Sequence, residues 1–437
     1  MCGFASKHTS TQLFQYSLDA LTWLQEPSRR PPVAYLASCA VSLPLIGLTQ
    51  FCQYIVYGKA SFLSPHELGA KFAGATGHSQ GVVTACVVAR KYPSSSSAND
   101  SWEPFYDHAT DGLELLFQIG LQGSLAFPPL AVSQALIDSS IENGEGSPTS
   151  MLAVTGLERS RLQKKIEEVN RYVAESGQRE SISISLNNGQ KAFVVTGSPK
   201  DLVGLADGLR KDRAPAGKDQ SKIPFSKRLP VFSMRFLPIG VPYHSHLLQG
   251  CTEKALDSLS QSKFSSKELA FAVYNTEDGS DLREAGSLLE SLCVQIFTSP
   301  IWWHTKATAF PSSATHAIDF GTGGASGIGS LSLRNWEGRG IRTIMIGNRG
   351  EGNNSGQEAW NGTLRKDERW DVKFAPKLVK TPAGVAIDTK FSRLLGKPPL
   401  MVAGMSVPFA VARLARLTDA TTLGHLALSK QASFQLS

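Results

Sequence analysis

Paired cysteines are what this chain most plainly lacks. Its six cysteines, Cys2, Cys39, Cys52, Cys86, Cys251 and Cys293, are scattered over 437 residues and never stand as Cys-x-x-Cys. That spacing excludes a zinc knuckle and a dithiol redox motif. Most lie in apolar stretches, where a reduced thiol behaves as a small hydrophobe, so free thiols in a reducing compartment are expected. Charge of one sign is also scarce: 44 Lys and Arg against 37 Asp and Glu leave a net of +7. The basic residues are not interleaved with aromatics, which argues against nucleic acid as a partner. The start, Met1 to Lys7, has no long apolar core of a secretory signal. No uncharged apolar run is read as approaching the roughly 20 residues that cross a bilayer. These absences predict a cytoplasmic globular protein with no membrane association. Its length suggests about two or three domains.

A dinucleotide fingerprint is absent too. Gly321-Thr322-Gly323 follows an apolar strand, but Ser326 stands where the third glycine belongs, so a close strand-to-helix turn is the better reading. His244 and His246 have metal-ligand spacing without a third ligand cluster. The basic stretch Arg210, Lys211, Arg213, Lys218, Lys222, Lys227 and Arg228 reads as a solvated loop, with docking of an acidic partner as the alternative.

What is present is a serine framed by glycines. Gly77-His78-Ser79-Gln80-Gly81 follows the short apolar stretch Phe72 to Thr76 and precedes Val82 to Ala89, which is apolar all round like a buried helix. In a chain with 39 glycines the pentapeptide alone is a weak signal. The strand, elbow and helix around it are the context that gives it meaning. Such an elbow strains the serine backbone and leaves no room for neighbouring side chains. A serine hydroxyl needs a general base to become a nucleophile. His244, in Val241-Pro242-Tyr243-His244-Ser245-His246, is the candidate.

Periodicity divides the chain. Helices are predicted over 11–26, after Pro44 and over 107–127, with a breaker-rich loop from Glu142 to Ser150. From Met151 the order is strand (151–155), helix, strand (181–186), an Asn188-Gly189 turn, strand (192–195), a helix opened by Ser198-Pro199, and strand (231–236). That β-α-β-β-α-β order is a ferredoxin-like unit, inserted between the serine-bearing and histidine-bearing segments. The divisions expected are 1–150, 151–240, 241–347, a polar glycine-rich linker over 348–389, and 390–437.

Taken together these segments resemble the acetyltransferase (acyl-CoA to acyl-carrier-protein) domain of the fungal-type fatty acid synthase beta subunit, including the beta subunits of hexanoate synthases in mycotoxin pathways. The resemblance spans about residues 11–406. It rests on Tyr35 to Ser38 with Val41 to Leu48, on Gly74 to Gly81, on Val241 to His246, on Val273 to Thr276 with Gly279 and Asp281 to Arg283, and on Asp319 to Gly321, Gly323 to Gly327 and Arg334 to Gly338.

The resemblance implies an α/β acyltransferase fold, an α/β-hydrolase-like large subdomain carrying the ferredoxin-like small one. It implies that Ser79 takes an acyl group from coenzyme A as an ester, with His244 as base and then acid. Gln80 would give one oxyanion N–H, the main-chain carbonyl at Gln295 would hold His244, and Gly77, His78 and Gly81 would form the elbow. Ile119 stands before Gly120 where malonyl-selective relatives carry an arginine, so an uncharged short acyl group such as acetyl is expected. Acetyl-CoA would be the donor and the phosphopantetheine of an acyl carrier protein the acceptor, with no cofactor or metal and an alpha subunit as assembly partner. The family's upstream Gly-Gln-Gly strand, source of its second oxyanion contact, has no match before Ser79. Lys390 to Met405 is similar to the entry of the flavin-dependent enoyl reductase barrel, and the match stops near Ser406. One strand cannot make that barrel, so a chain cut at both ends is expected, without the FMN and NADPH sites. A serine hydrolase or thioesterase on the same Ser79 and His244, and a non-catalytic remnant, stay open as alternatives.

Overall fold

The computed structural model describes residues 12–61, 63–94, 102–177, 182–215, 217–260, 262, 264–309, 311, 313–322 and 327–346, with the strands at 378–381, 384–387 and 400–403. Two sheets organise it. The larger has five parallel strands, in order β6-β1-β11-β7-β8: β1 is Gly74–Gly77, β6 Val273–Tyr274, β7 His316–Asp319, β8 Arg342–Met345 and β11 Leu400–Ala403. Parallel strands are covered on both faces and need continuous apolar or small residues. Gly-Ala-Thr-Gly in β1 is wholly buried, as that demands. The helix Gly81–Val88 packs on this sheet, buried at every position.

The long helices Cys39–Ala60 and Glu103–Ala126 also lie against this core. Their approach depends on small residues. A Cβ on Gly120 would stand 2.5 Å from the Cys39 carbonyl oxygen, closer than any real side chain comes. The Cys39 to Lys59 stretch corrects an expectation: it is long and apolar enough to cross a bilayer by composition. Two-thirds of its apolar window (67%) is buried inside the protein, as befits a core helix.

The smaller sheet is antiparallel, in order β3-β4-β2-β5, with β2 Met151–Thr155, β3 Ser183–Gly189, β4 Ala192–Thr196 and β5 Ser233–Phe236. The helices Arg159–Glu175 and Pro199–Asp212 complete the ferredoxin-like unit. It has its own core, in which Leu162, Ile166, Leu202, Leu205 and Leu209 meet Leu152, Val154 and Phe193. Arg210 leaves the solvated basic stretch. It donates from Nε to the fully buried Glu145 at 2.8 Å and belongs to the packing of this unit.

The helix expected after Pro44 begins earlier, at Cys39, with Pro44 inside it. Three further elements differ from expectation. The helix over 11–26 is broken into a 3-10 turn at Gln12–Phe14 and a helix at Ala20–Gln25. Between them Ser17 adopts a left-handed φ of 59°, which no helix accommodates. Asn188-Gly189 continues β3 instead of forming the turn, and a bulge between Asn187 and Gly189 absorbs the extra residue.

The third difference is the largest. Leu400–Ala403, expected to begin a barrel, lies at the centre of the five-stranded sheet. It runs parallel to β1 (Gly74↔Leu400 to Gly77↔Ala403) and to β7 (Leu400↔Ala317 to Val402↔Asp319). The reason is physical: β1 and β7 each face this slot with main-chain donors and acceptors that need a partner. An apolar Leu-Met-Val-Ala strand supplies it. Within the expected linker, Leu378–Thr381 and Gly384–Ile387 form an antiparallel pair separate from both sheets. The rest of 348–437 lies outside the described residues.

Candidate active site

Ser79 is set by the turn that joins β1 to the helix Gly81–Val88. Its φ is 56°, a left-handed conformation that a non-glycine residue adopts at a cost of roughly 1–3 kcal/mol. The turn closes so tightly that a Cβ on Gly77 would lie 1.9 Å from the carbonyl carbon of Gly81. That contact is why glycine stands at 77.

His244 comes from the opposite direction and docks on a helix end. The last carbonyls of a helix have no partner within it. Those of Ile296 and Phe297, closing the helix Leu288–Phe297, accept the main-chain N–H groups of His244 and Ser245 at 3.1 Å each. His244 too is left-handed, with φ 60°. Its Nδ1 lies 3.0 Å from the Ser299 carbonyl oxygen, and its Nε2 lies 2.8 Å from Ser79 Oγ. A carbonyl only accepts, so Nδ1 carries the hydrogen and Nε2 is bare. The Ser79 hydroxyl therefore donates to Nε2, the arrangement a general base requires.

The Ser299 carbonyl, which was not expected, makes the closer bond, and the main chain at the expected Gln295 adds a weaker one to the same imidazole. The helix runs through Gln295 to Phe297, and the Ser299 carbonyl just beyond its end faces the ring. The Gln295 side chain accepts from Thr276 N at 2.9 Å and braces the same segment.

Both dyad residues are buried, Ser79 to 3% exposure and His244 to 2%. Burial pushes the His244 pKa down to about 4, against the Ser299 bond, which raises it, and with the nearby His78, which lowers it. Desolvation outweighs the bonds to main-chain carbonyls. A depressed pKa keeps the imidazole neutral, so base function should hold from neutrality down to about pH 5 and fail only as pH drops through about 4. The pH profile of kcat/KM should show its acid limb there; a limb near 6.5 would contradict the buried site. Stability shifts the same way: between about 6.5 and 4 the unfolded chain binds more protons, so stability falls as pH drops through that window.

His78 is a second buried imidazole, also held near pKa 4 by burial. Its Nε2 lies 2.7 Å from Asn188 Oδ1, and its ring meets Trp303 edge-on at 5.1 Å. The Asn188 carbonyl in turn accepts from Asn335 Nδ2 at 2.8 Å. The small subdomain grips the histidine side as well: Ile301 N donates to Ser185 O, and Asn187 N to Ile301 O, both at 2.8 Å. Thus β3 holds the elbow through His78 and steadies the segment carrying Ser299. Asn188, Ser299 and Trp303 had no distinguishing signal in the sequence.

Beside Ser79 opens a small cavity of about 10 Å³, lined by Cys39, Leu43, Gln80, Ile239, Tyr243 and Ile296 among others, none of them charged. Burial raises the Cys39 thiol to about 11 and the Tyr243 phenol well above its ordinary value, so this wall is neutral at pH 7. Ile119 does not line it. That residue is fully buried one layer behind, where its carbonyl accepts from the Tyr243 hydroxyl at 3.3 Å. Gln80 stands at the N-cap of the helix Gly81–Val88, whose first N–H groups, those of Gly81, Val82 and Val83, donate to the carbonyls of His78, Ser79 and Gln80 at 3.1 Å each. The glycine-rich loop after β7 is held by Asp319, whose carboxylate accepts from Gly321 N at 2.6 Å and Gly329 N at 2.9 Å. Residues 323–326 between these two anchors, where the dinucleotide fingerprint breaks, lie outside the described residues.

A buried serine–histidine dyad on a strand-to-helix elbow, at the C-terminal end of an inner strand of a parallel sheet with a ferredoxin-like insertion, defines an acyltransferase. A family profile described as "Starter unit:ACP transacylase in aflatoxin biosynthesis" matches residues 6–230, more than half of the chain, and the protein belongs to that family. The fatty acid synthase subunit beta of Saccharomyces cerevisiae is 40% identical over 406 residues, covering 90% of this chain and 19% of the yeast protein. The fatty acid synthase beta subunit aflB of Emericella nidulans is 35% identical over 412 residues, covering 92% of this chain and 19% of that one. The chain thus spans about a fifth of these relatives. Two solved structures share the fold. One is a type II polyketide synthase acyl-carrier protein in complex with its malonyl-transacylase (TM-score 0.51, 18% identity, 78% of this chain and 90% of that one). The other is the malonyl CoA-acyl carrier protein transacylase of Coxiella burnetii (TM-score 0.51, 15% identity, 78% and 88%).

Proposed function

We propose that the protein moves an acetyl or similarly short, uncharged acyl group from coenzyme A to the phosphopantetheine thiol of an acyl carrier protein, through an ester on Ser79. The observation that carries this reading is the 2.8 Å contact between Ser79 Oγ and the bare Nε2 of His244. His244 takes the hydroxyl proton as Oγ attacks the thioester carbonyl, then returns it to the leaving coenzyme A thiolate. The second half reverses the roles, with the carrier thiol attacking the ester. The Gln80 main-chain N–H stabilises the oxyanion in both halves, where charge develops.

The uncharged lining of the cavity supports an uncharged acyl group, because a carboxylate there would be buried without a cation. The wall beside Ser79, with Tyr243 and Ile296, carries this selectivity directly, and Ile119 supports it from behind. Burial of both dyad residues favours transfer over hydrolysis, since water has little access to the ester. The intact dyad geometry favours a working enzyme over a non-catalytic remnant. Assembly with an alpha subunit and a role in fatty acid or mycotoxin starter synthesis follow from the relatives and belong to the same proposal. So does a cytoplasmic setting without bound cofactor. The test is acylation from acetyl-CoA followed by discharge. An acetyl ester on Ser79 that persists in water and leaves on addition of carrier-protein thiol supports the reading; rapid decay without a thiol marks a hydrolase.

A further inference from the structure

A bulge in the small sheet aims one side chain at the elbow. The register of β3 against β4 shifts between Asn187 and Gly189, which leaves Asn188 outside the ladder. Bulges of this kind bend a strand and re-aim a residue, often beside an active site. Asn188 reaches across to the large subdomain, where its Oδ1 lies 2.7 Å from His78 Nε2. Its own main-chain carbonyl accepts from Asn335 Nδ2 at 2.8 Å, which holds it there. An amide oxygen only accepts, so the His78 hydrogen sits on Nε2 and Nδ1 is bare. Nδ1 is buried and has no partner in the protein, so a second proton there would meet no acceptor. The ring next to the nucleophile is neutral by construction. Burial and the Asn188 bond are the influences on it. The elements around it carry His304 and Lys306 beside Trp303, Arg334 beside Asn335, and His244; of these it is His244 that its charge acts on. A cation at His78 would oppose the imidazolium that His244 becomes when it takes the Ser79 proton.

We propose that Asn188 is a positioning residue for the dyad: its neutral amide oxygen fixes His78 as the uncharged Nε2–H tautomer, so that the charge formed on His244 during acyl transfer meets no cation across the elbow. The inference rests on the acyltransferase reading of Ser79 and His244.

Two substitutions separate charge from packing. Asn188→Asp puts a carboxylate in place of the amide, and an opposite charge at that range favours the protonated ring. Its kcat/KM for acetylation of Ser79 by acetyl-CoA should fall about tenfold or more at pH 7. Its acid limb should move up from about 4 by about two pH units or more. Asn188→Leu removes the bond without adding charge, so it should slow acetylation and leave the limb near 4. An Asn188→Asp limb that stays near 4, or an Asn188→Leu limb that moves as far, overturns the proposal. If a variant fails to fold, nitrogen NMR of the histidine rings in the native protein decides. A neutral Nε2–H ring at residue 78 is expected from neutrality down to about pH 5; an Nδ1–H tautomer, or a ring charged at neutral pH, overturns the proposal. Native acetylation with the limb near 4 in both variants would sink this inference and leave the acyltransferase reading standing; no acetylation of the native protein would sink both.

Discussion

A chain carrying Val402→Pro is expected to lose its cooperative fold. Val402 sits mid-strand, opposite Thr76 of β1 on one side and Asp319 of β7 on the other. Proline removes a ladder hydrogen bond and cannot be fitted at the centre of a sheet. The damage reaches further than one bond, because among the described strands β11 is the one that lies between the β6-β1 and β7-β8 halves. The expected loss is about 4 kcal/mol or more, in the tail that broken backbone networks produce. Val379→Pro, in the separate β9 (Leu378–Thr381) and β10 (Gly384–Ile387) pair, serves as the control and should leave the main transition nearly unchanged. Thermal unfolding followed by circular dichroism measures both. Equal, small shifts would mean that β11 does not hold the sheet together.

The second large effect is chemical. Ser79→Ala removes the only atom to which the acyl group can be esterified in this mechanism, so the adduct should vanish. His244→Ala should lower the acylation rate by about 10⁴ or more, since the dyad acts as a unit. The double variant should be little worse than either single one, because each alone disables the same step. Both residues are buried, so unchanged melting of the variants must be shown alongside. A His244→Ala protein that acylates at a near-native rate would remove the base from the mechanism.

Local physics made much of this legible. The elbow could be read because its constraint is local: a side chain on Gly77 would collide with the Gly81 backbone, and the apolar Val82 to Ala89 run can only be a buried helix. The ferredoxin-like unit could be read because its periods switch between 2 and 3.6 over short distances, and its order β3-β4-β2-β5 follows from the chain order alone. The position of Leu400–Ala403 could not be read that way. An apolar four-residue run suits any buried parallel strand, in a barrel or an open sheet, and its register is fixed by β7, 83 residues away at Leu400↔Ala317, and by β1, 326 residues away at Gly74↔Leu400. The closer His244 anchor was missed for a related reason. Any residue presents a main-chain carbonyl, so only the path of the chain after Phe297 selects Ser299 over Gln295. Asn188 was hidden by its neighbour: Asn-Gly is a turn signal, and here the asparagine side chain is spent on His78 instead.

The most direct measurement is intact and peptide mass spectrometry of the native protein after incubation with acetyl-CoA, with Ser79→Ala alongside. The account predicts one acetyl group on the peptide containing Ser79, absent from the variant, stable in buffer and discharged by carrier-protein thiol. A folded protein that gains no acetyl group on Ser79, or whose variant gains it equally, would contradict it.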